Sequence, residues 1–247
     1  MGRAGKPGPD VQVEIVPDLE ALSEAAAARV ADRAAEAVAA RGRFLWALAG
    51  GATPARTYER LAGPPHRERL PWGRMEVFFG DERCVPPEDP RSNYRLAQER
   101  LLSRVPLPPS QVHRLACEAD PEAGARRYEA LLRQRLPEAG GGFDLALLGL
   151  GADGHTASLF PGLVPAPGSW VAVVARPDEP FRRLTLTPEV LNRSRLLLFL
   201  VAGREKAPAL RAVLRGEGAM AASPVHLLKP AAGAIQWLVD REAAALL

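Results

Sequence analysis

The 247-residue sequence predicts an α/β fold in which a mostly parallel sheet is covered on both faces by helices. Short apolar runs, among them Phe44 to Ala49, Phe143 to Leu148 and Leu196 to Val201, have the near-continuous hydrophobicity of strands buried on both sides. Stretches of helical periodicity separate these runs, and several of them end abruptly in glycine-containing loops. One α/β domain over residues 1–247 accounts for the whole pattern, since neither a convincing linker nor an internal repeat interrupts it.

In order, residues 1–10 read as a disordered tail. Val11 to Val16 alternates apolar and polar residues as a β-strand does, and Pro17-Asp18 then opens a helix. That helix runs from Leu19 to about Ala40, with Leu22, Ala26, Val30, Ala34 and Val38 on one face. The strand Phe44 to Ala49 leads into Gly50-Gly51, and Pro54 suits the first turn of the next helix. Met75 to Phe79 is a strand ending at Gly80-Asp81-Glu82-Arg83, followed by a helix around Tyr94 to Leu102 and a turn at Pro106 to Pro109. A helix near Glu122 to Leu136 precedes the strand Phe143 to Leu148. Further strands are expected near Trp170 to Ala175, Arg183 to Thr187, Leu196 to Val201 and Ala234 to Val239, with a helix near Glu205 to Leu214 between the last two.

Composition narrows the function. The hydrophobic fraction of 47% and charged fraction of 25% are those of a globular protein. No apolar run is long enough to span a bilayer, and no apolar stretch follows the basic residues of the N-terminus as a secretory signal requires. A cytoplasmic protein is expected. The net charge of +3 is small and spread along the chain, without the basic stripe and interleaved aromatics of a nucleic-acid surface. Lysine is scarce: only Lys6, Lys206 and Lys229 among 32 basic residues. Cys84 and Cys117 are too few for a disulfide framework, lack the spacing of a zinc site, and have no evident base beside them, so neither is assigned a role.

In an open parallel sheet, ligands gather at the carboxyl ends of strands. Ala49-Gly50-Gly51-Ala52-Thr53-Pro54 follows one apolar strand and opens a helix, so its backbone N–H groups and the Thr53 hydroxyl suit a phosphate; the GxxxxGK[ST] spacing of a P-loop is missing. The same segment also reads as a plain strand-to-helix turn. Gly80-Asp81-Glu82-Arg83 places three consecutive charges after a buried strand, with Ser92-Asn93-Tyr94 close behind. Alternating directions would let some of these charges face a cleft while others pair internally.

The third loop runs from Gly149 to Gly162. Its GxGxxG (Gly149, Gly151, Gly154) is not a dinucleotide fingerprint. Asp153 would stand where pyrophosphate should lie, Pro161-Gly162 would stop any following helix, and the strand is not the first of a βαβ unit. What remains is an imidazole, His155, with a carboxylate, Asp153, two residues before it. A neutral histidine can take a proton from water near neutral pH, and Asp153 can orient it or hold substrate hydroxyls. Phe181-Arg182-Arg183-Leu184-Thr185-Leu186-Thr187 alternates basic and hydroxyl side chains along a strand, and Lys206 opens a helix after Gly203; both suit phosphate oxygens, or are ordinary surface charge. His66, His113 and His226 have no such setting and read as surface or packing residues.

Together these segments resemble the 6-phosphogluconolactonase family: AGGATP at 49–54, GDERCVP at 80–86, SNY at 92–94, LGLGADGHTASLFPG at 148–162, RRLTLTP at 182–188 and AGREKA at 202–207, in the family's order. The resemblance implies a Rossmann-like three-layer α/β/α sandwich, shared with glucosamine-6-phosphate deaminase. It implies hydrolysis of 6-phospho-D-glucono-1,5-lactone to 6-phosphogluconate, in the oxidative branch of the pentose phosphate pathway, without metal or organic cofactor. His155 would be the general base with Asp153 beside it. Gly50, Gly51, Ala52, Thr53, Asp81, Arg83, Asn93, Gly151, Arg183 and Lys206 would line the substrate site, Ala52 standing where a serine is common. The expected partner is a small sugar phosphate, with no nucleic acid or membrane, acting on a monomer or weak homodimer. Two rivals are a deaminase or isomerase of the same superfamily and a non-catalytic sugar-phosphate sensor. The deaminase carries a glutamate shortly after its histidine, whereas Ser158-Leu159-Phe160-Pro161 has no acid. A sensor usually appends a DNA-binding helical module, for which there is no room before residue 10.

Overall fold

The apolar runs form the centre of a parallel sheet. The computed structural model describes residues 10–136, 141–163, 165, 167–216 and 223–247. Its first elements are β1 (Asp10–Val16), α1 (Leu19–Arg41), β2 (Phe44–Leu48), α2 (Ala52–Leu61), α3 (His66–Arg69) and β3 (Met75–Phe79). β4 (Asp81–Arg83), α4 (Asn93–Arg100), α5 (Pro121–Arg135) and β5 (Leu145–Leu148) follow. The chain continues through β6 (Val171–Ala175), β7 (Arg182–Leu186), α6 (Pro188–Leu191), β8 (Leu196–Val201), α7 (Ala207–Arg215) and β9 (Ala234–Asp240). The expected tail lies outside the described residues, except that Asp10 already belongs to β1.

Six strands pair in the order β1-β9-β8-β5-β2-β3, every neighbour parallel, with helices on both faces. This is the three-layer α/β/α architecture. All residues of β2, β5 and β8 are buried, as their unbroken apolar sequences require. Helix α1 starts where Asp18 caps it, its carboxylate accepting from Ala21 N at 2.9 Å. It stops at Gly42, whose left-handed φ of 76° lets its N–H reach Val38 O. Between those caps Leu22, Ala26, Val30 and Ala34 are fully buried, as the periodicity predicts.

The register sets the site. Leu48 lies beside Phe79, and Leu148 beside Phe199, so β2, β3, β5 and β8 end at nearly one level. Beyond β2 the chain first adds β3 on one side and later β5 on the other. That reversal is the switch point at which an open sheet leaves a crevice.

Two features depart from the sequence reading. The charged triplet after Gly80 is a strand, not a loop: β4 pairs antiparallel with β7, and β7 with β6, making a separate three-stranded sheet. Gly80 joins the two sheets, its N–H bonded to Leu48 O and its carbonyl accepting from Leu186 N, each at 2.8 Å. The cysteines, left without a role above, form a disulfide that ties the end of β4 to the segment before α5, with Cα atoms 4.9 Å apart. Smaller shifts occur at element ends: Phe143 and Asp144 precede β5, where Asp144 turns in to accept Leu45 N at 2.8 Å and to pair with Arg41, and Trp170 precedes β6, its N–H donating to Glu129 at 3.1 Å. His66 and His113 pack as expected, facing Glu24 and Glu76 at 2.7 and 3.0 Å.

Candidate active site

A cavity of about 310 Å³ opens at the carboxyl ends of β2, β5 and β8. Gly50, Gly51, Ala52, Thr53, Asp81, Arg83, Asn93, Gly151, His155, Arg183 and Lys206 all line it, so the segments singled out by sequence converge. Asp153 does not line it; it stands behind His155. Ala157 and Glu205, which the sequence did not single out as site residues, share the wall.

One end is built by the loop after β2. Fully buried Tyr58 grips that loop, its hydroxyl donating to Ala49 O at 2.6 Å and accepting from Ala49 N at 3.0 Å. Burial pushes the Tyr58 phenol well above its ordinary pKa, so it stays a neutral hydrogen-bonding group. Gly51 caps α2 at φ 103° with no side-chain cap, leaving first-turn N–H groups unpaired. Gly50 is required by closeness: a Cβ there would lie 2.0 Å from Asn93 Oδ1. Across from this loop stands Lys206, half-buried, its ammonium without an ion-pair or hydrogen-bond partner among the described residues. Its turn is fixed by Gly203 N, which donates to the Asp240 carboxylate at 3.1 Å.

The floor is a network centred on β4. Asp81 is buried, with Oδ2 accepting from Ser158 Oγ at 2.6 Å and Oδ1 from Asn93 Nδ2 at 3.1 Å. Glu82 points the other way and accepts from Asn93 N, Tyr94 N, Arg83 N and Ser92 Oγ at 2.7–3.0 Å, anchoring the start of α4. Burial raises the Glu82 carboxyl above its usual range, against the pull of these donors. The alternation expected of the triplet is therefore present and strand pairing produces it, but inward-turned Glu82 is held by N–H groups and a hydroxyl, not by the expected internal salt bridge. Buried Arg183 is gripped by Glu179 through two bonds of 2.7 and 2.6 Å, and its free branch reaches Ser158 Oγ at 3.4 Å. Arg83 donates to Arg91 O at 2.5 Å, and its buried Nε has no partner among the described residues.

At the other end the loop after β5 turns His155 toward the cavity. His155 Nδ1 lies 2.5 Å from Asp153 Oδ1, which also accepts His155 N at 3.2 Å. Burial alone would raise Asp153, yet the hydrogen bond and charge of His155 outweigh it and hold the carboxyl below its ordinary value. An ionised Asp153 accepts a hydrogen bond from Nδ1–H, which leaves Nε2 with a lone pair. The ring rests on Phe160, centroids 4.7 Å apart. Gly151 has to be glycine, because a Cβ would fall 2.0 Å from His155 Nδ1 and 2.5 Å from Asp153 Oδ1. No helix follows this loop. Residues 156–163 close in two small β-bridges, which removes the helix N-terminus a dinucleotide fingerprint needs. Among the described residues no group of His, Cys, Asp or Glu is arranged to hold a metal ion, and no helix is long and apolar enough to cross a membrane.

With this geometry in place, relatives bear on its chemistry. A family model described as glucosamine-6-phosphate isomerases/6-phosphogluconolactonase matches residues 17–237. A 6-phosphogluconolactonase from Synechocystis is 40% identical over 239 residues, covering 94% of this chain and 96% of the relative. The solved 6-phosphogluconolactonase of Trypanosoma brucei superposes with a TM-score of 0.81 at 29% identity, over 97% of this chain and 99% of the other. A monomeric glucosamine-6-phosphate deaminase superposes almost as well, with TM-score 0.80 and 29% identity over 96% and 100%. The backbone alone therefore does not distinguish the two reactions.

Proposed function

The chain belongs to the glucosamine-6-phosphate isomerase/6-phosphogluconolactonase family, and from that premise we propose that it hydrolyses 6-phospho-D-glucono-1,5-lactone to 6-phospho-D-gluconate, with His155 activating water. The observation that carries the proposal is His155 at the cavity wall with Asp153 behind it, Nδ1 engaged and Nε2 available. His155 Nε2 takes a proton from water as its oxygen attacks the lactone carbonyl carbon. The protonated imidazole then returns the proton to the ring oxygen as the C–O bond breaks. Asp153 holds the tautomer and offsets the imidazolium charge. General-base help of this kind contributes about 10²–10⁴-fold.

The ends of the substrate follow from the charges. The start of α2, without a side-chain cap, and Lys206, unpaired among the described residues, suit the phosphate, with Arg83 beside them. Arg183 lies on the His155 side, its guanidinium 5.6 Å from the Phe160 ring on which His155 rests, and it suits the carbonyl oxygen as negative charge develops.

The solved deaminase of similar fold makes deamination of glucosamine 6-phosphate the second reading. Against it, Ala157 is the residue after His155 in this loop that lines the cavity, while Ser158, Leu159 and Phe160 are buried. Asp81 is in the cavity wall, but both of its oxygens are occupied. A pH-stat assay with freshly prepared lactone separates the readings. Acid release well above the spontaneous rate, without ammonia from glucosamine 6-phosphate, is expected. Ammonia release without lactone turnover would overturn the proposal, as would saturable binding without either reaction.

A further inference from the structure

Behind the site, away from the cavity, the turn between β6 and β7 carries Arg176, Asp178 and Glu179. Arg176 lines no part of the cavity. Its guanidinium lies 4.4 Å from the centroid of Phe160, the ring that supports His155. One of its nitrogens is 4.0 Å from Asp153 Oδ2, the carboxylate oxygen that His155 does not use. Asp178 holds the guanidinium in a fork, at 2.9 and 2.7 Å, and Glu179 stands 3.9 Å away while gripping Arg183. One short turn thus fixes both the support of the histidine and the arginine of the cavity floor. A surface arginine that served only solubility would need neither the ring nor the fork.

We propose that Arg176 is a positioning residue for the His155–Asp153 pair: it clamps Phe160 beneath the imidazole and holds the outer oxygen of Asp153, without touching substrate. The inference rests on His155 being the base of the proposed reaction. Two contributions are separable. The planar guanidinium stacks on the ring, which a lysine cannot reproduce. The positive charge disfavours a protonated His155 and favours an ionised Asp153. Among the described residues the other charged groups near the pair are Asp178 and Glu179 on the turn, and Asp81, Arg83, Arg183, Glu205 and Lys206 around the cavity. Of these, Asp178 loses its fork when Arg176 is changed, and its freed negative charge acts in the same direction as the lost positive one.

The test compares wild type with Arg176→Gln and Arg176→Lys. Its first readout is the titration of the His155 ring followed by NMR without substrate; its second is the pH profile of kcat and KM on the lactone. Loss of the charge in Arg176→Gln should move the His155 titration and the acid limb of the rate profile to higher pH. Arg176→Lys should restore the titration but not the stacking. Both variants should lose about ten-fold in kcat, with KM within about two-fold of wild type, because a loosened base misplaces the proton transfer and leaves binding intact. A His155 titration identical in all three proteins overturns the inference, whatever happens to kcat or Tm. The NMR readout needs no turnover, so a protein without lactonase activity would refute the function while the titration still decides the role of Arg176.

Discussion

Replacing Gly151 by alanine puts a methyl group into space that the catalytic pair occupies. The new Cβ would lie 2.0 Å from His155 Nδ1, where ordinary contacts begin at 3.4 Å. The imidazole would therefore have to retreat by about 1.4 Å, on the scale at which misplacing a reacting group costs about 10²-fold. Such a loss in kcat is about 2.7 kcal/mol of transition-state stabilisation. Asp153 cannot follow the ring freely, because the same methyl lies 2.5 Å from its Oδ1. Gly73→Ala is the control, since nothing stands within 4 Å of its Cβ position and it does not line the cavity. Initial rates of acid release on fresh lactone, corrected for spontaneous hydrolysis, should fall about 100-fold for Gly151→Ala and less than about three-fold for Gly73→Ala. Circular dichroism and Tm should show both variants folded. A Gly151→Ala enzyme with near wild-type kcat would refute the placement of the pair.

Lys206→Ala should raise KM for the lactone by about ten-fold or more with a smaller change in kcat, as loss of an unpaired phosphate contact does; an unchanged KM would move the phosphate elsewhere. Asp144→Ala should lower stability by about 1–3 kcal/mol while leaving activity intact, because Leu45 N loses its buried acceptor; denaturant unfolding measures it, and an unshifted midpoint would contradict the contact. Reducing the Cys84–Cys117 disulfide, which closes a separation of 33 residues, should lower stability by about 3–4 kcal/mol in the chain-entropy account, readable as a drop in Tm with dithiothreitol. An unchanged Tm would mean that the cross-link constrains little.

Much of this arrangement was legible from sequence because it follows from local rules. An apolar run reads as a buried strand and a following glycine as a loop, and three such exits put Gly50, Asp81 and His155 at one sheet edge. The cap at Asp18 and the stop at Gly42 belong to the same local logic. What escaped the sequence depends on distant partners. Asp81-Glu82-Arg83 has no apolar pattern, and its burial becomes affordable only when Ser158 and the start of α4 supply hydrogen bonds. No spacing rule joins Cys84 to Cys117, which meet because the segment before α5 returns beside β4. Arg176, in a turn rich in proline and acid, shows no motif; its meaning lies in Phe160 and Asp153, which fold against it.

The central claim is that His155 is the base. The most direct measurement is kcat of His155→Ala on freshly made 6-phosphogluconolactone, read against the spontaneous rate, with Tm taken on the same preparation. The account predicts a folded protein that has lost about 10²–10⁴-fold of its turnover. Near wild-type turnover in that variant, well above spontaneous hydrolysis, would contradict it.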